Sequence, residues 1–297
     1  MGEFGVTFSD KIPIVKQTRL TAAQTCLLSL QRAFKIRKKV SEQKFVNIWH
    51  TFLEKSGKVH GYWYVPPPLG TTALFDGSKH SDRTNYTNLR DKVYWSKTEL
   101  YLDKQEGGYL FSSPYFFHED VPLIGDFGFT FYSGENQRIK DHFHRCTEII
   151  KQLTEKISKG ISFKELSALS TDIMQTGGFR NHIVSTTDKI KTNFGHTIPF
   201  LDRDPDERER KKIATGEPEI INSVISKARE FINKESEYII SQNCAFTFEP
   251  RFVSVADPKL PTFSLHLIIL FENSRKEILA NFNGLFNFLD MDFLTKL

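Results

Sequence analysis

The sequence predicts an α+β protein, and three observations carry that prediction. Apolar residues recur at spacings of three and four in several separate stretches, the period of amphipathic helices. Other stretches, notably 93–132 and 245–282, are dense in Phe, Tyr and Val between turn residues, as strands are. The chain of 297 residues, with 39% hydrophobic and 26% charged residues, has the length and composition of a globular protein with a substantial core. The 27 phenylalanines predict that this core is rich in aromatic rings.

Residues 1–16 carry no clear period and read as an extended tail. Leu20, Ala23, Leu27, Leu30 and Phe34 predict a helix over 20–40. Ser41 is placed as the N-cap of a second helix reaching about Lys55, with Phe45, Ile48, Trp49 and Phe52 on one face. Pro66, Pro67 and Pro68 stop any helix. The polar stretch 76–90 reads as a long loop, a feature that is often functional in compact domains. Strands are predicted at 93–102, 108–117 and 122–132, then a helix over 137–159 ended by Gly160. A further helix runs from Ser162 to about Gln175. The charged run 202–212 reads as a solvated loop or frayed helix, and 218–241 as a helix. Strands follow at 245–255, 263–272 and 278–282, with a polar turn at 273–276.

The formal net charge of +4 is spread along the chain. Its densest cluster, Arg32 to Lys39, is interleaved with Ala, Phe and Ile and reads as the solvated face of a helix, so a nucleic-acid partner is not expected. Cys26, Cys146 and Cys244 are odd in number and far apart, which predicts reduced thiols and no disulfide framework. No apolar run approaches the roughly 18 residues that a membrane span needs. The first residues lack the apolar core of a signal peptide. These readings together predict a soluble cytoplasmic protein without a membrane partner.

Four polar residues interrupt apolar strands or turns: Asp126 in LIGDFGF, Glu135 in YSGENQR, His196 in NFGHTIPF and Glu249 in AFTFEPRF. A buried carboxylate must be paired, hydrogen-bonded or metal-bound, because an isolated buried charge is too costly. Each has a plain structural reading: Asp126 precedes a glycine and suits a turn, and Glu249 precedes Pro250 and suits a strand end. Oxygen and nitrogen donors without thiolates suit Mn, Fe, Co or Zn. His142 and His144 lie two apart on a predicted helix and cannot chelate together. His182 reads as a loop histidine.

The order and setting of these four residues resemble those of the pita-bread family, which includes the metallopeptidases methionine aminopeptidase and prolidase and also creatinase. The pieces are Asp126-Phe-Gly128, Tyr132-Ser-Gly-Glu135-Asn-Gln-Arg138, Gly195-His196-Thr-Ile198 and Phe246-Thr-Phe-Glu249-Pro250. Two further matches are Gly160-Ile-Ser-Phe163, like the family's junction between two helices, and Leu270-Phe-Glu272-Asn273, like its closing hairpin. The likeness covers about 120–290. It implies a curved antiparallel sheet covered by helices in one domain over 17–297, with an N-terminal half to 120 and a metal-site half from 121. It implies Asp126, Glu135, His196 and Glu249 as ligands of a divalent metal (Mn, Fe, Co or Zn), a peptide or small-molecule amide substrate, and a homodimer.

The sequence departs from the family at several points. Glu135 stands for an Asp and follows Asp126 at a shorter interval. The last carboxylate of the family aligns with Leu265, beside His266, which alternation places on the opposite face. Pro199 stands for a glycine, Arg203 for a second histidine, and neither His80 nor His118 matches the upstream catalytic histidine. Two functions follow: a divergent metal-dependent hydrolase or lyase using one ion, or a catalytically inactive pita-bread module without metal that binds a peptide or protein.

Overall fold

The computed structural model describes residues 7–76, 83–103, 105–182 and 187–297. The chain opens on helix α1 (Phe8–Lys35) and α2 (Glu42–Lys55), followed by short strand β1 (Gly61–Tyr62) and β2 (Thr71–Phe75). Four strands follow: β3 (Gly107–Ser112), β4 (Pro114–His118), β5 (Val121–Ile124) and β6 (Phe127–Tyr132). Helices α3 (Gln137–Lys156) and α4 (Phe163–Thr176) lead to β7 (Phe179–Asn181), α5 (Glu207–Ile213) and α6 (Pro218–Lys227). The chain closes with β8 (Cys244–Phe248), β9 (Arg251–Ser254), β10 (Phe263–Ser264), β11 (Leu267–Glu272), β12 (Arg275–Ile278) and α7 (Asn283–Phe288).

The helix α1 begins at Phe8, where the sequence suggested a tail. Thr7 and Asp10 form a reciprocal capping box that satisfies the first free amides. Ile12 and Val15 then pack in one cluster with Val121, Leu123 and Ile124. This burial and capping outweigh Pro13, whose ring costs about 3 kcal/mol in a helix interior. Helices α2, α3 and α4 start where expected, capped by Ser41, Asn136 and Ser162.

All strand pairings are antiparallel. They fall into the orders β2-β3-β6, β1-β4-β5, β12-β11-β8 and β10-β9-β7. A bridge between Phe129 and Leu265 joins β6 to the β10–β11 segment, and one between Thr197 and Phe246 adds the His196 stretch to β8. The aromatic core lies between sheet and helices, with Phe45, Trp49, Phe127, Phe129, Phe246 and Phe263 almost wholly buried. Trp49 donates its indole N–H to Ala22 O (3.2 Å) and Thr25 Oγ1 (3.1 Å), which ties α2 to α1. No helix among the described residues is long and apolar enough to cross a membrane.

Four expected strands are each split in two. The breaks fall at Ser113, at Gly125–Asp126, at Glu249–Pro250 and at Leu265–His266. The strand expected over 93–102 is instead irregular, since Glu42 holds it by hand: Lys97 N donates to Glu42 Oε2 (2.8 Å), and Glu42 N and Gln43 N bond to Leu100 O and Lys97 O. The helix expected over 218–241 ends at Lys227, because the backbone beyond pairs with the His196 stretch. Thr197 N donates to Glu230 O, Phe194 N to Ile232 O and Ile232 N to Gly195 O. The strand expected over 278–282 ends at Ile278, and the run 202–212 contains α5. Of the polar loop 76–90, residues 77–82, His80 among them, lie outside the described residues; 83–85 form a short 3-10 turn.

Candidate metal centre

Asp126 sits at the kink between β5 and β6, buried to 1% exposure. Its Oδ1 accepts the indole N–H of Trp63, and its backbone carbonyl accepts a guanidinium N–H of Arg19. Arg19 reaches up from α1, and also donates to His266 O and to Leu279 O (2.9 Å). One buried guanidinium therefore clamps two of the strand breaks, at Gly125–Asp126 and at Leu265–His266.

His196 is delivered by the stretch paired with β8. Gly195 is at φ 128°, and a Cβ there would lie 2.2 Å from Thr247 O, so only glycine lets the two backbones approach. Thr247 N then donates to His196 O (2.7 Å), and Glu249 N to Phe194 O (2.7 Å). His196 and Glu249 are thus set against each other by one short ladder.

The acceptor of His196 Nδ1 is the carbonyl of Thr197 (2.9 Å). A carbonyl cannot donate, so Nδ1 carries the proton, and Nε2 turns a lone pair to the cavity. Nε2 lies 3.7 Å from Asp126 Oδ2 and 3.8 Å from Glu249 Oε1. The three donor atoms all lie within 4.8 Å of one another. These separations are too long for hydrogen bonds. Ligands about 2.1 Å from one ion, arranged tetrahedrally, lie roughly 3.4 Å apart, so the set fits a single divalent cation of the N/O-binding kind.

Electrostatics point the same way. Burial, with the charge of Glu249 adding, pushes the Asp126 carboxyl up to about 8. Burial, with Arg229 adding, pushes His196 down to about 4. Burial also opposes the charge of Glu249, but the imidazoles of His266 and His196, the Thr247 hydroxyl and Arg229 outweigh it and hold that carboxyl below its ordinary value. At neutral pH a proton on Asp126 occupies the role that a cation would take.

Glu135 is not part of this group. It lies in the turn before α3, its side chain 80% exposed and 3.0 Å from Lys140 Nζ, so its carboxylate is solvated rather than gathered with the others. Leu265 packs in the core. His266, expected to face away from the ligands, lines the same pocket as Asp126 and Glu249: alternation holds through the segment, with Phe263, Leu265, Leu267 and Ile269 turned to the core, and the pocket lies on the face that carries His266. Its Nε2 shares a hydrogen bond with Tyr109 Oη (3.0 Å) and lies 3.7 Å from Glu249 Oε2, while its buried Nδ1 has no partner among the described residues. Arg19, Tyr109 and Arg229 were not singled out by the sequence. Arg19 alone left a trace there: it falls at helical spacing between Val15 and Ala23, on the buried face of α1. His142 is buried and bonded to Pro261 O (2.9 Å), and Arg203 pairs with Glu209 on the surface, both away from the pocket.

No family model matches the sequence, and no curated protein is similar to it in sequence. Solved structures are similar to it in fold. An X-Pro aminopeptidase from Thermotoga maritima aligns with a TM-score of 0.59 at 12% identity, over 91% of this chain and 61% of that one. The fold is the pita-bread fold. A prolidase from Pyrococcus furiosus aligns with a TM-score of 0.59 at 12% identity, over 92% of this chain and 64% of its own. A methionine aminopeptidase from Thermotoga maritima aligns with a TM-score of 0.55 at 12% identity, over 90% and 96%. This pita-bread chain thus spans about three fifths of the prolidase-type chains and almost all of the methionine aminopeptidase. At such identities the likeness establishes the fold, and the chemistry has to be argued from the pocket.

Proposed function

We propose that the chain is a divergent metal-dependent hydrolase acting on a peptide or small amide, with one divalent cation held by Asp126, His196 and Glu249. The observation that carries this reading is the direction of His196 Nε2: its lone pair faces two carboxyl oxygens at 3.7 and 3.8 Å, too far for a direct hydrogen bond and close enough to share one ion. A divalent ion bound there supplies Lewis acidity toward a substrate carbonyl.

The chain's own groups do the rest. Glu249 offers Oε1 to the ion site, and its Oε2 faces His266 at 3.7 Å. Burial holds the Tyr109 phenol well above its ordinary pKa, so it remains a proton-bearing donor on the pocket wall, tethered by His266. The cavity around these groups measures about 110 Å³, which limits the water beside the reacting bond.

One observation favours the inactive binding module instead. With Glu135 on the surface and Leu265 in the core, the carboxylates that the resemblance implies for a second ion are not in the pocket. The two readings part on turnover. Protein reconstituted with Mn, Fe, Co or Zn is expected to cleave members of a panel of dipeptides and acylated amines, with kcat reduced at least 100-fold in Glu249→Gln. A fully metal-loaded protein that cleaves none of them selects the binding module.

A further inference from the structure

Trp63 stands beside the ion site and meets three of its parts. It directly follows β1 and is 4% exposed. Its indole N–H goes to Asp126 Oδ1. Its ring stands at 89° to the His196 ring, with centroids 5.5 Å apart. The Arg229 guanidinium covers the indole face at 4.5 Å. Both partners of the indole hydrogen bond are also tied by their backbones to the break between β3 and β4. Trp63 N donates to Ser113 O (3.1 Å), Tyr64 N to Ser113 Oγ (3.2 Å) and Gly125 N to Pro114 O (2.9 Å). Ser113 is fully buried, so this anchor lies inside the fold.

A carboxylate can offer an ion one oxygen or two. At Asp126 the indole takes Oδ1, and Oδ2 is the oxygen turned to His196 Nε2 at 3.7 Å. Arg19 holds the Asp126 backbone carbonyl, so bringing the second oxygen to an ion would break the indole hydrogen bond. An indole N–H donates and cannot accept, which means that Trp63 cannot itself be a ligand and acts through Asp126. Glu249 also divides its oxygens, with Oε1 toward His196 (3.8 Å) and Oε2 toward His266 (3.7 Å). The centre thus presents three donor atoms, one from each residue. Three protein donors with one position left open is the zinc arrangement of hydrolytic sites, whereas manganese favours six oxygen-rich positions.

We propose that Trp63 is a positioning residue that restricts Asp126 to one oxygen, and so sets the centre for a four-coordinate ion, zinc or the cobalt that can stand in for it. This rests on the reading of Asp126, His196 and Glu249 as an ion site; hydrolysis plays no part in it.

The test is the visible absorption of the full chain, stripped of metal and titrated with Co(II) at pH 8.5. Four-coordinate Co(II) absorbs intensely in the visible range, and six-coordinate Co(II) only weakly. Native protein is expected to give the intense spectrum. Trp63→Phe, which keeps an aromatic ring and loses the N–H, should give the weak one as Oδ1 joins the ion. The ratio of Zn(II) to Mn(II) affinity should fall about tenfold in the same variant. Zinc outranks manganese at most such sites, so the change carries the information rather than the ratio itself. Thermal melts check folding, and benzothienylalanine at position 63, which keeps the shape of the indole and lacks its N–H, replaces Trp63→Phe if that variant does not fold. A weak spectrum in native protein overturns the four-coordinate assignment. An intense spectrum in a folded variant overturns the role of Trp63. Native protein that binds no Co(II) overturns the ion site itself, and the proposal with it. Because no turnover is read, both expected spectra in a protein that cleaves no amide support the proposal while rejecting the hydrolase.

Discussion

At the residue scale, the centre depends on unequal proton affinities of adjacent buried groups. Asp126, raised to about 8 from 3.8, favours its neutral form in the folded chain. Its contribution to stability is complete below about pH 4 and is lost as pH rises through about 8. His196, lowered to about 4 from 6.5, contributes above pH 6.5 and loses that contribution as pH falls through about 4. Between pH 6.5 and 8 only Asp126 of these two still changes. The metal-free protein should therefore lose on the order of 1–2 kcal/mol across that window in urea titrations. Asp126→Asn should flatten the dependence. A metal must displace the Asp126 proton, so its affinity should rise about tenfold per pH unit below pH 8; an affinity independent of pH would contradict the assignment of that proton. A second residue-scale prediction concerns Gly195. Gly195→Ala combines a positive φ with a clash against Thr247 O and should cost about 3 kcal/mol or more, read by the same titration.

The residue scale is also where the sequence was most and least legible. Asp126, His196 and Glu249 stood out because polar groups in apolar runs need a reason, and the fold brings those three together. Glu135 stood out in the same way and through a motif, but its flanking residues, Gly134, Asn136 and Gln137, gave no apolar packing to hold it inward. His266 was misplaced because the pocket face was assigned to Leu265, one residue out of register; alternation itself holds through 263–271. Arg229 had no signal, since its position depends on the backbone beyond α6 leaving the helix to pair with 194–197.

At the scale of elements, helices whose caps are written in the sequence were read closely, as Ser41 and Ser162 illustrate. Long strands were over-read, and the reason is functional geometry: Asp126, Glu249 and His266 each stand at or beside a break. The irregular segment 83–103 shows a different limit. It is held by Glu42, fully buried at the start of α2, which accepts Phe75 N (2.6 Å) and Lys97 N (2.8 Å) and pairs with Arg83 (2.8 Å). No local propensity encodes such a tertiary clasp. Glu42→Ala leaves the Arg83 guanidinium buried without its partner, and should cost about 3–5 kcal/mol. Hydrogen exchange should report the loss first in 83–103, whereas uniform loss across the sheet would show that the clasp is not local.

At the scale of the whole molecule, a phenylalanine-rich core between a curved antiparallel sheet and its covering helices supports the pocket, and the fold needs no ion to explain its core. Cys26, Cys146 and Cys244 are all buried, and burial raises each thiol's pKa. A thiol reagent should accordingly label none of them in the native protein and all three on unfolding. Rapid labelling of any one in native conditions would mean that the core opens far more readily than its packing suggests. A bound cation should add stability only by mass action, raising Tm with metal concentration.

The most direct measurement is elemental analysis of protein purified without chelator, set beside His196→Ala prepared identically. The account predicts close to one equivalent of Mn, Fe, Co or Zn per chain, and its loss in the variant. No metal in the native protein, together with no rise in Tm on adding any of these ions at pH 8.5, would contradict it and leave Asp126, His196 and Glu249 as a buried polar cluster stabilised by a proton.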